Sequence, residues 1–136
     1  MSQERYVGLD LGTTSVSAAV IDPSSGRVLA TRSRPHRADL SADVPGAHRQ
    51  DPDVLVGGAQ GLLLELSAEF GPFAGVGVAG QMHGILYTDA TGRAVSPVYT
   101  WLDRRAEAKG ETSYGEVFRE TVGEAVPLGY GALTHL

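Results

Sequence analysis

The chain has 136 residues, of which 42% are hydrophobic and 20% are charged, and its net charge is −5. This length suits one modest folded domain, and the composition argues against intrinsic disorder and against a coiled coil. The acidic balance without a basic cluster argues against nucleic acid or an anionic membrane as the main partner, and the absence of cysteine excludes disulfides and thiolate metal sites. Because the sequence shows no apolar leader and no apolar run long enough to span a bilayer, we expect a cytoplasmic protein with a small-molecule ligand.

The first 31 residues predict an antiparallel meander of strands. Residues 6–11 and 16–21 are apolar and partly alternating, and residues 27–31 follow a turn cluster at 22–26. Such runs, joined by short turns, are typical of strands that pair with their sequence neighbours. Residues 33–50 are polar, include Pro35 and Pro45, and have no sustained period, so they are predicted to form a loop.

One amphipathic helix is predicted to begin after Asp51. Asp51 suits the cap, Pro52 suits the first helical position, and Gly71 with Pro72 ends the segment. Glycines at 57, 58 and 61 each cost about 1 kcal/mol relative to alanine inside a helix, so tertiary packing must hold it. The apolar face is predicted to comprise Leu55, Ala59, Leu62, Leu66 and Phe70.

The rest of the chain predicts more strands and weak helix. Residues 74–79 form a short apolar run that suits a strand buried on both faces. Residues 85–88 and 95–101, with a turn at 89–93, are predicted to pair, and the part from Arg104 onward is weakly helical. The order of elements predicts an α/β protein with a mixed sheet covered by helix.

The turn between the first two strands reads Asp10-Leu11-Gly12-Thr13-Thr14-Ser15. It lacks the lysine of a Walker loop and the spaced glycines of a dinucleotide fingerprint, and a strand follows it instead of a helix. Gly12 admits an oxyanion close to the backbone, the hydroxyl residues at 13–15 can donate hydrogen bonds, and Asp10 can orient a hydrated magnesium ion. The pattern favours a hairpin that binds nucleotide phosphate; an ordinary polar turn is the alternative.

A second motif, Gly80-Gln81-Met82-His83-Gly84, follows the predicted buried strand. Ligands gather at the ends of such strands, and the paired glycines leave room for one. His83 could exchange hydrogen bonds with the hydroxyls of a polyol while Met82 packs on its carbon skeleton. The alternative is a core histidine beside a gap-filling methionine, and the residues alone do not decide between the two.

The third motif, residues 100–106, contains an aromatic ring and a carboxylate. Trp101 offers a flat face to the C–H side of a sugar, and Asp103 can accept a hydrogen bond from a hydroxyl. For an isolated tryptophan, core packing is the stronger interpretation.

In this order, the stretches GLDLGTTS, GVGVAGQMHG and TGRAVSPVYTWLDRRA closely resemble the FGGY family of carbohydrate kinases across essentially the whole chain. The first stretch alone is similar to the phosphate hairpin of all actin-like ATPases. HRQDPDVL, residues 48–55, resembles the family's segment before its first long helix. GQMHG resembles the xylulokinase and sedoheptulokinase branches, and LGYGALTHL, residues 128–136, looks more like the sedoheptulokinases.

The resemblance implies a ribonuclease H-like (actin-like ATPase) fold, with residues 1–136 as an incomplete N-terminal lobe and the second lobe absent. It implies transfer of the γ-phosphoryl group of ATP to a ketose with Mg²⁺. Asp10 would serve the metal through water, and the ATP phosphates would lie against Gly12, Thr13, Thr14 and Ser15. The sugar would contact Gln81, Met82, His83, Trp101 and Asp103, and Asp10 and His83 would share one cleft.

The family's general base is an aspartate late in the first lobe, so no catalytic base is expected in this chain. We therefore expect the chain to be inactive alone, and we expect it either to self-associate or to be completed by a C-terminal fragment. A non-catalytic sugar-binding or interaction module derived from a kinase is the alternative. An actin-like or chaperone ATPase is a third possibility, against which GQMHG argues.

Overall fold

The computed structural model describes residues 4–105 and 114–123. The chain divides into two compact units, one made of residues 1–38 and 53–81 and the other of residues 39–52 and 82–136. In chain order the elements are β1 (Tyr6–Leu11), β2 (Ser15–Asp22), β3 (Arg27–Pro35), β4 (Arg49–Gln50), α1 (Pro52–Phe70), β5 (Gly75–Gly80), β6 (Val98–Tyr99) and α2 (Tyr114–Val122).

The first unit is built on a four-stranded mixed sheet with the strand order β3-β2-β1-β5. The pairs β1/β2 and β2/β3 are antiparallel, which confirms the predicted meander, and β5 lies parallel to β1. The connection from β3 to β5 therefore has to cross over, and α1 lies within that connection. This arrangement confirms the predicted mixed sheet with helical cover.

The turn between β2 and β3 is closed by the carboxylate of Asp22. Its oxygens accept hydrogen bonds from the backbone N–H and hydroxyl of Ser24, at 2.9 and 2.6 Å, and from the hydroxyl of Ser25 at 2.8 Å. These bonds favour the charged carboxylate and lower the pKa of Asp22 to about 2. Gly26 completes the turn at a φ of 67°, a conformation that glycine adopts without steric cost.

The core of the first unit lies between α1 and one face of the sheet. Four members of the predicted helix face are buried, and Phe70 packs at the edge of the core. The strands contribute Val7 and Leu9 from β1 and Val16, Ala18 and Val20 from β2. Because the helix period of 3.6 places residues three and four apart on one face, this part of the fold could be predicted from the sequence.

Strand β3 extends beyond its predicted end at residue 31 and reaches Pro35, inside the predicted loop. The extension carries Arg32 and Arg34, which pair with Glu65 and Glu69 on α1. The loop prediction was wrong here because charged residues on an edge strand carry no apolar alternation, and pairing with β2 sets the length of the strand.

The prediction that residues 74–79 form a strand buried on both faces was correct for the strand and wrong for its burial. Val76 and Val78 of β5 are 48% and 71% exposed. Among the described strands β5 pairs only with β1, so one edge and much of its side-chain surface have no cover. An apolar run indicates that a strand can be buried, but only neighbouring elements bury it.

The second unit contains a short antiparallel pair, β4 with β6, and helix α2. Strand β4 lies in the predicted loop. The predicted pairing of 85–88 with 95–101 is reduced to isolated bridges, Ile85 with Tyr99 and Thr88 with Ala94. Helix α2 matches part of the predicted helical tail, whereas residues 106–113 and 124–136, including the LGYGALTHL stretch, lie outside the described residues. No helix in the described ranges has the length and apolarity to cross a bilayer.

Truncation of Leu62, which is fully buried at 0% exposure, tests the helix–sheet core. We expect Leu62→Ala to lower the free energy of unfolding by about 2–5 kcal/mol, because it leaves a cavity between α1 and the sheet. The matched control is Leu64→Ala in the same helix, where the side chain is 72% exposed; it should change stability by less than about 0.5 kcal/mol. Urea unfolding of the two variants measures both changes in unfolding free energy. Equal losses of stability in the two variants would contradict this placement of the core.

Candidate functional site

The ends of β1 and β5 bring two of the sequence motifs to one edge of the sheet. In the parallel register Asp10 lies beside Ala79 and Leu11 beside Gly80. The pairing continues one step further, since the N–H of Gln81 donates to the carbonyl of Leu11 at 3.0 Å. The phosphate-hairpin motif and the GQMHG motif therefore both begin at the carboxyl ends of adjacent parallel strands, where sheets of this kind bind ligands.

The hairpin between β1 and β2 is a tight turn. The N–H of Gly12 donates to the carbonyl of Ser15 at 2.9 Å, while Thr14 is exposed at the tip. A Cβ atom on Gly12 would lie 3.1 Å from the carbonyl oxygen of Ser15 and 3.9 Å from Oδ2 of Asp10. Glycine thus keeps the backbone open at this point, beside a carboxylate that is exposed to solvent.

The residues at this turn fit a magnesium–phosphate ligand better than a bare metal ion. Asp10 is exposed at the end of β1, and within the described residues no group of three or more His, Asp or Glu side chains could hold a metal. Mg²⁺ usually keeps several water ligands and binds proteins through one or two carboxylates plus substrate phosphates. A single carboxylate next to an open glycine is compatible with that kind of binding, and contact of Asp10 with the metal through water stays a prediction.

The segment after β5 has an unusual backbone at His83. His83 adopts a φ of 59°, in the left-handed region, which is unfavourable for a residue with a side chain. Its side chain and that of Met82 are exposed, Met82 by 71%, so neither is a core residue of the described chain. Gly84 fits closely, because a Cβ there would lie 3.2 Å from the carbonyl oxygen of Tyr99.

In the second unit, the turn at residues 100–105 is held by buried polar contacts and leaves Trp101 43% exposed. Thr100 is buried, and its hydroxyl lies 2.7 Å from Nδ1 of His48 and accepts from the N–H of Leu102 at 3.2 Å. The N–H of Thr100 also donates to the carbonyl of His48 at 3.2 Å. The tryptophan is therefore not a core residue in the described chain, contrary to the stronger sequence interpretation.

Asp103 is the carboxylate at the centre of this turn, and it is 1% exposed. Its oxygens accept from Nε and Nη2 of Arg105, at 2.9 and 2.8 Å, and from the N–H of His48 at 3.3 Å. Burial opposes the charged form, but the hydrogen bonds from Arg105 and His48 and the charge of Arg105 outweigh it, so the pKa of Asp103 lies below its ordinary value. In this arrangement Asp103 shapes the turn that presents Trp101, and its direct contact with a sugar stays a prediction.

The sequence-predicted residues divide between the two units. Asp10, the hairpin residues 12–15 and Gln81 lie in the first unit, and Met82, His83, Trp101 and Asp103 lie in the second. Sequence reasoning missed His48 and Thr100 as scaffold residues. Both stand in the quoted motif stretches, but their contact joins positions that are 52 residues apart, which no local pattern reveals.

Replacing Asp103 with asparagine tests the buried ion pair, and we expect a loss of about 1–3 kcal/mol in unfolding free energy at neutral pH. Because the folded pKa of Asp103 is depressed, its contribution is complete above the unfolded carboxylate value of about 3.9 and is lost as the pH falls through the lower folded value. The gap between wild type and Asp103→Asn should therefore be constant from about pH 7 to 5 and close in acid.

Urea unfolding at a series of pH values measures that gap. Asp43→Asn is the matched control, because its carboxylate pairs with Arg49 but is 63% exposed. A gap that stays constant in acid would show that Asp103 does not act through its charge.

Comparisons with known proteins identify the family and the fold of this chain. Residues 5–120 match the N-terminal domain of the FGGY family of carbohydrate kinases. Xylulose kinase from Streptomyces coelicolor is 37% identical over 100 residues, covering 74% of this chain and 20% of its own length. Sedoheptulokinase from Mus musculus is 34% identical over 125 residues, covering 75% of this chain and 26% of its own.

A solved structure shows the same fold. The crystal structure of gluconate kinase from Lactobacillus acidophilus superposes with a TM-score of 0.74 at 21% identity, covering 88% of this chain and 23% of that protein. The predicted actin-like ATPase architecture is thereby confirmed for a partial α/β lobe. The chain spans about a fifth to a quarter of the length of these relatives. It belongs to the FGGY family of carbohydrate kinases.

Proposed function

We propose that this chain takes part in the ATP-dependent phosphorylation of a ketose, either a pentulose or a heptulose, with the hairpin at 10–15 on the ATP phosphates and the segment 81–83 on the sugar. The observation that carries the proposal is the parallel pairing of β1 and β5, extended by the bond from Gln81 to Leu11. Because of that pairing, both motifs begin at the same edge of the sheet. Relatives named xylulose kinase and sedoheptulokinase support the ketose class.

The hairpin suits phosphoryl transfer because this reaction depends on positioning and on stabilising charge. Gly12 lets phosphate oxygens approach backbone N–H groups, and the hydroxyls of Thr13, Thr14 and Ser15 supply further donors. When bound, Mg²⁺ neutralises phosphate charge. Asp10 is the residue that would hold it through water.

The sugar side of the proposal depends on polar groups around an apolar surface. The imidazole of His83 and the amide of Gln81 exchange hydrogen bonds with sugar hydroxyls. Met82 and Trp101 pack against C–H faces, and their exposure of 71% and 43% leaves that surface open to a ligand. The left-handed backbone of His83 supports a functional role, since strained residues concentrate at binding sites.

We further propose that the 136-residue chain binds its ligands without turning them over. A general base must accept the hydroxyl proton of the sugar. Asp103, the one carboxylate among the residues proposed to contact the sugar, already accepts hydrogen bonds from Arg105 and His48 while buried. The base would then come from a C-terminal fragment, and the exposed edge of β5 would favour either the docking of that fragment or self-association of the chain.

We also propose that the protein is located in the cytoplasm.

Isothermal titration with Mg-ATP and, separately, with xylulose and sedoheptulose tests the assignment of ligands to motifs. We expect Asp10→Asn to weaken Mg-ATP binding about tenfold, the equivalent of one lost charge-assisted contact, and to leave ketose affinity unchanged. His83→Asn, in which asparagine tolerates the left-handed backbone, should weaken ketose binding about tenfold and leave Mg-ATP unchanged. The control is Asp53→Asn, an exposed carboxylate on α1.

Two outcomes would contradict the proposal. One is that Asp10→Asn and His83→Asn both lower the affinity for Mg-ATP and for ketose by the same factor, which would indicate a general loss of structure. The other is ketose binding without any Mg-ATP binding, which would favour a sugar-binding module. A coupled assay for ADP should show no turnover by the chain alone, and turnover would show that this chain contains a base.

A further inference from the structure

The geometry points to His36 as a positioning residue for the hairpin at 10–15, acting through a turn that its ring closes directly after β3. The inference rests on the proposed function, in which this hairpin takes the phosphates of ATP. His36 lies between Pro35, the last residue of β3, and the turn that leads away from the sheet.

The first step is a backbone bond from His36 to the tip of the hairpin. The β2/β3 ladder ends with Ser15 beside Pro35, and one residue further the N–H of His36 donates to the carbonyl of Thr14 at 3.3 Å. The carbonyl of Thr14 belongs to the same peptide group as the N–H of Ser15. The orientation of His36 therefore affects the direction in which the N–H of Ser15 points. This N–H is one of the backbone donors that we assign to the ATP phosphates.

The second step is a bond made by the ring itself. Nδ1 of His36 accepts from the N–H of Ala38 at 3.0 Å, and the residue between them, Arg37, adopts a φ of 54°. Ala38 is 1% exposed, so its N–H has little access to solvent as an alternative partner. The ring thus fixes a left-handed turn that redirects the chain while the N–H of His36 stays on Thr14.

The third step identifies the atom of the imidazole ring on which the turn depends. Because Nδ1 accepts, the neutral ring carries its proton on Nε2. Nε2 is buried and has no hydrogen-bond partner within the described residues, which is unfavourable. The useful atom is therefore Nδ1, which is bonded to Cγ as Oδ1 of asparagine is. Asparagine at position 36 would keep an acceptor at that place, as in an Asx turn, while its Nδ2 would bring two N–H donors of its own.

The test compares His36→Asn with His36→Gln, which carries the same amide one methylene further from the backbone and does not close the i to i+2 turn. We expect His36→Gln to weaken Mg-ATP binding about five- to tenfold, as for one lost hydrogen bond, with His36→Asn within about twofold of wild type. Amide hydrogen exchange of Gly12, whose N–H closes the hairpin, should accelerate in the Gln variant and not in the Asn variant. Both variants should keep the wild-type affinity for ketose.

Each result decides one point. Equal Mg-ATP affinity in all three proteins, or equal weakening in both variants, would overturn the positioning role. A loss of ketose affinity parallel to the loss of Mg-ATP affinity in the Gln variant would also overturn it, because it would indicate general destabilisation. If the wild-type chain binds no Mg-ATP, the proposed function fails, and the exchange of Gly12 still tests whether His36 positions the hairpin.

Discussion

The parallel pairing of β1 with β5 is the constraint on which the rest of the molecule depends. Six residue pairs, from Tyr6 beside Gly75 to Leu11 beside Gly80, fix the register, and the N–H of Gln81 extends it. A shift by one residue would turn each side chain of β5 to the opposite face. With the register fixed, the chain leaves both strands at the same edge. The hairpin motif and the GQMHG motif therefore start from neighbouring backbone positions.

Burial of α1 makes this sheet a firm support. The apolar stripe of the helix covers β1 and β2, so the strand that leads into the hairpin is packed from one side over its whole length. At Gly58 the helix lies against β2, since a Cβ there would make ordinary van der Waals contact with the side chain of Val16, at 3.5 Å. The glycines that weaken the helix in isolation are thus compatible with a helix that tertiary contacts hold in place.

Turns closed by a side-chain acceptor recur through both units. In each case an acceptor on residue i takes the N–H of residue i+2, which satisfies a backbone donor and orders a loop. The acceptors are Asp22, His36, Asp89, Thr100 and Asp103. Asp103 and Thr100 together present Trp101, and His36 closes the turn behind the hairpin. Short polar contacts therefore order loops within each unit.

The sequence by itself determined the local elements whose patterns repeat at short range. The meander, the start and buried face of α1, the turn at Asp22 and the family all followed from periodicity, turn residues and motifs, because these signals depend on neighbours a few positions away. It did not determine the extension of β3, strand β4, the exposure of Val78 or the bond between His48 and Thr100. These features depend on partners that are distant in sequence. Strand length follows the neighbouring strand, burial follows the elements that cover a face, and a buried hydroxyl needs a hydrogen-bond partner that only folding places beside it.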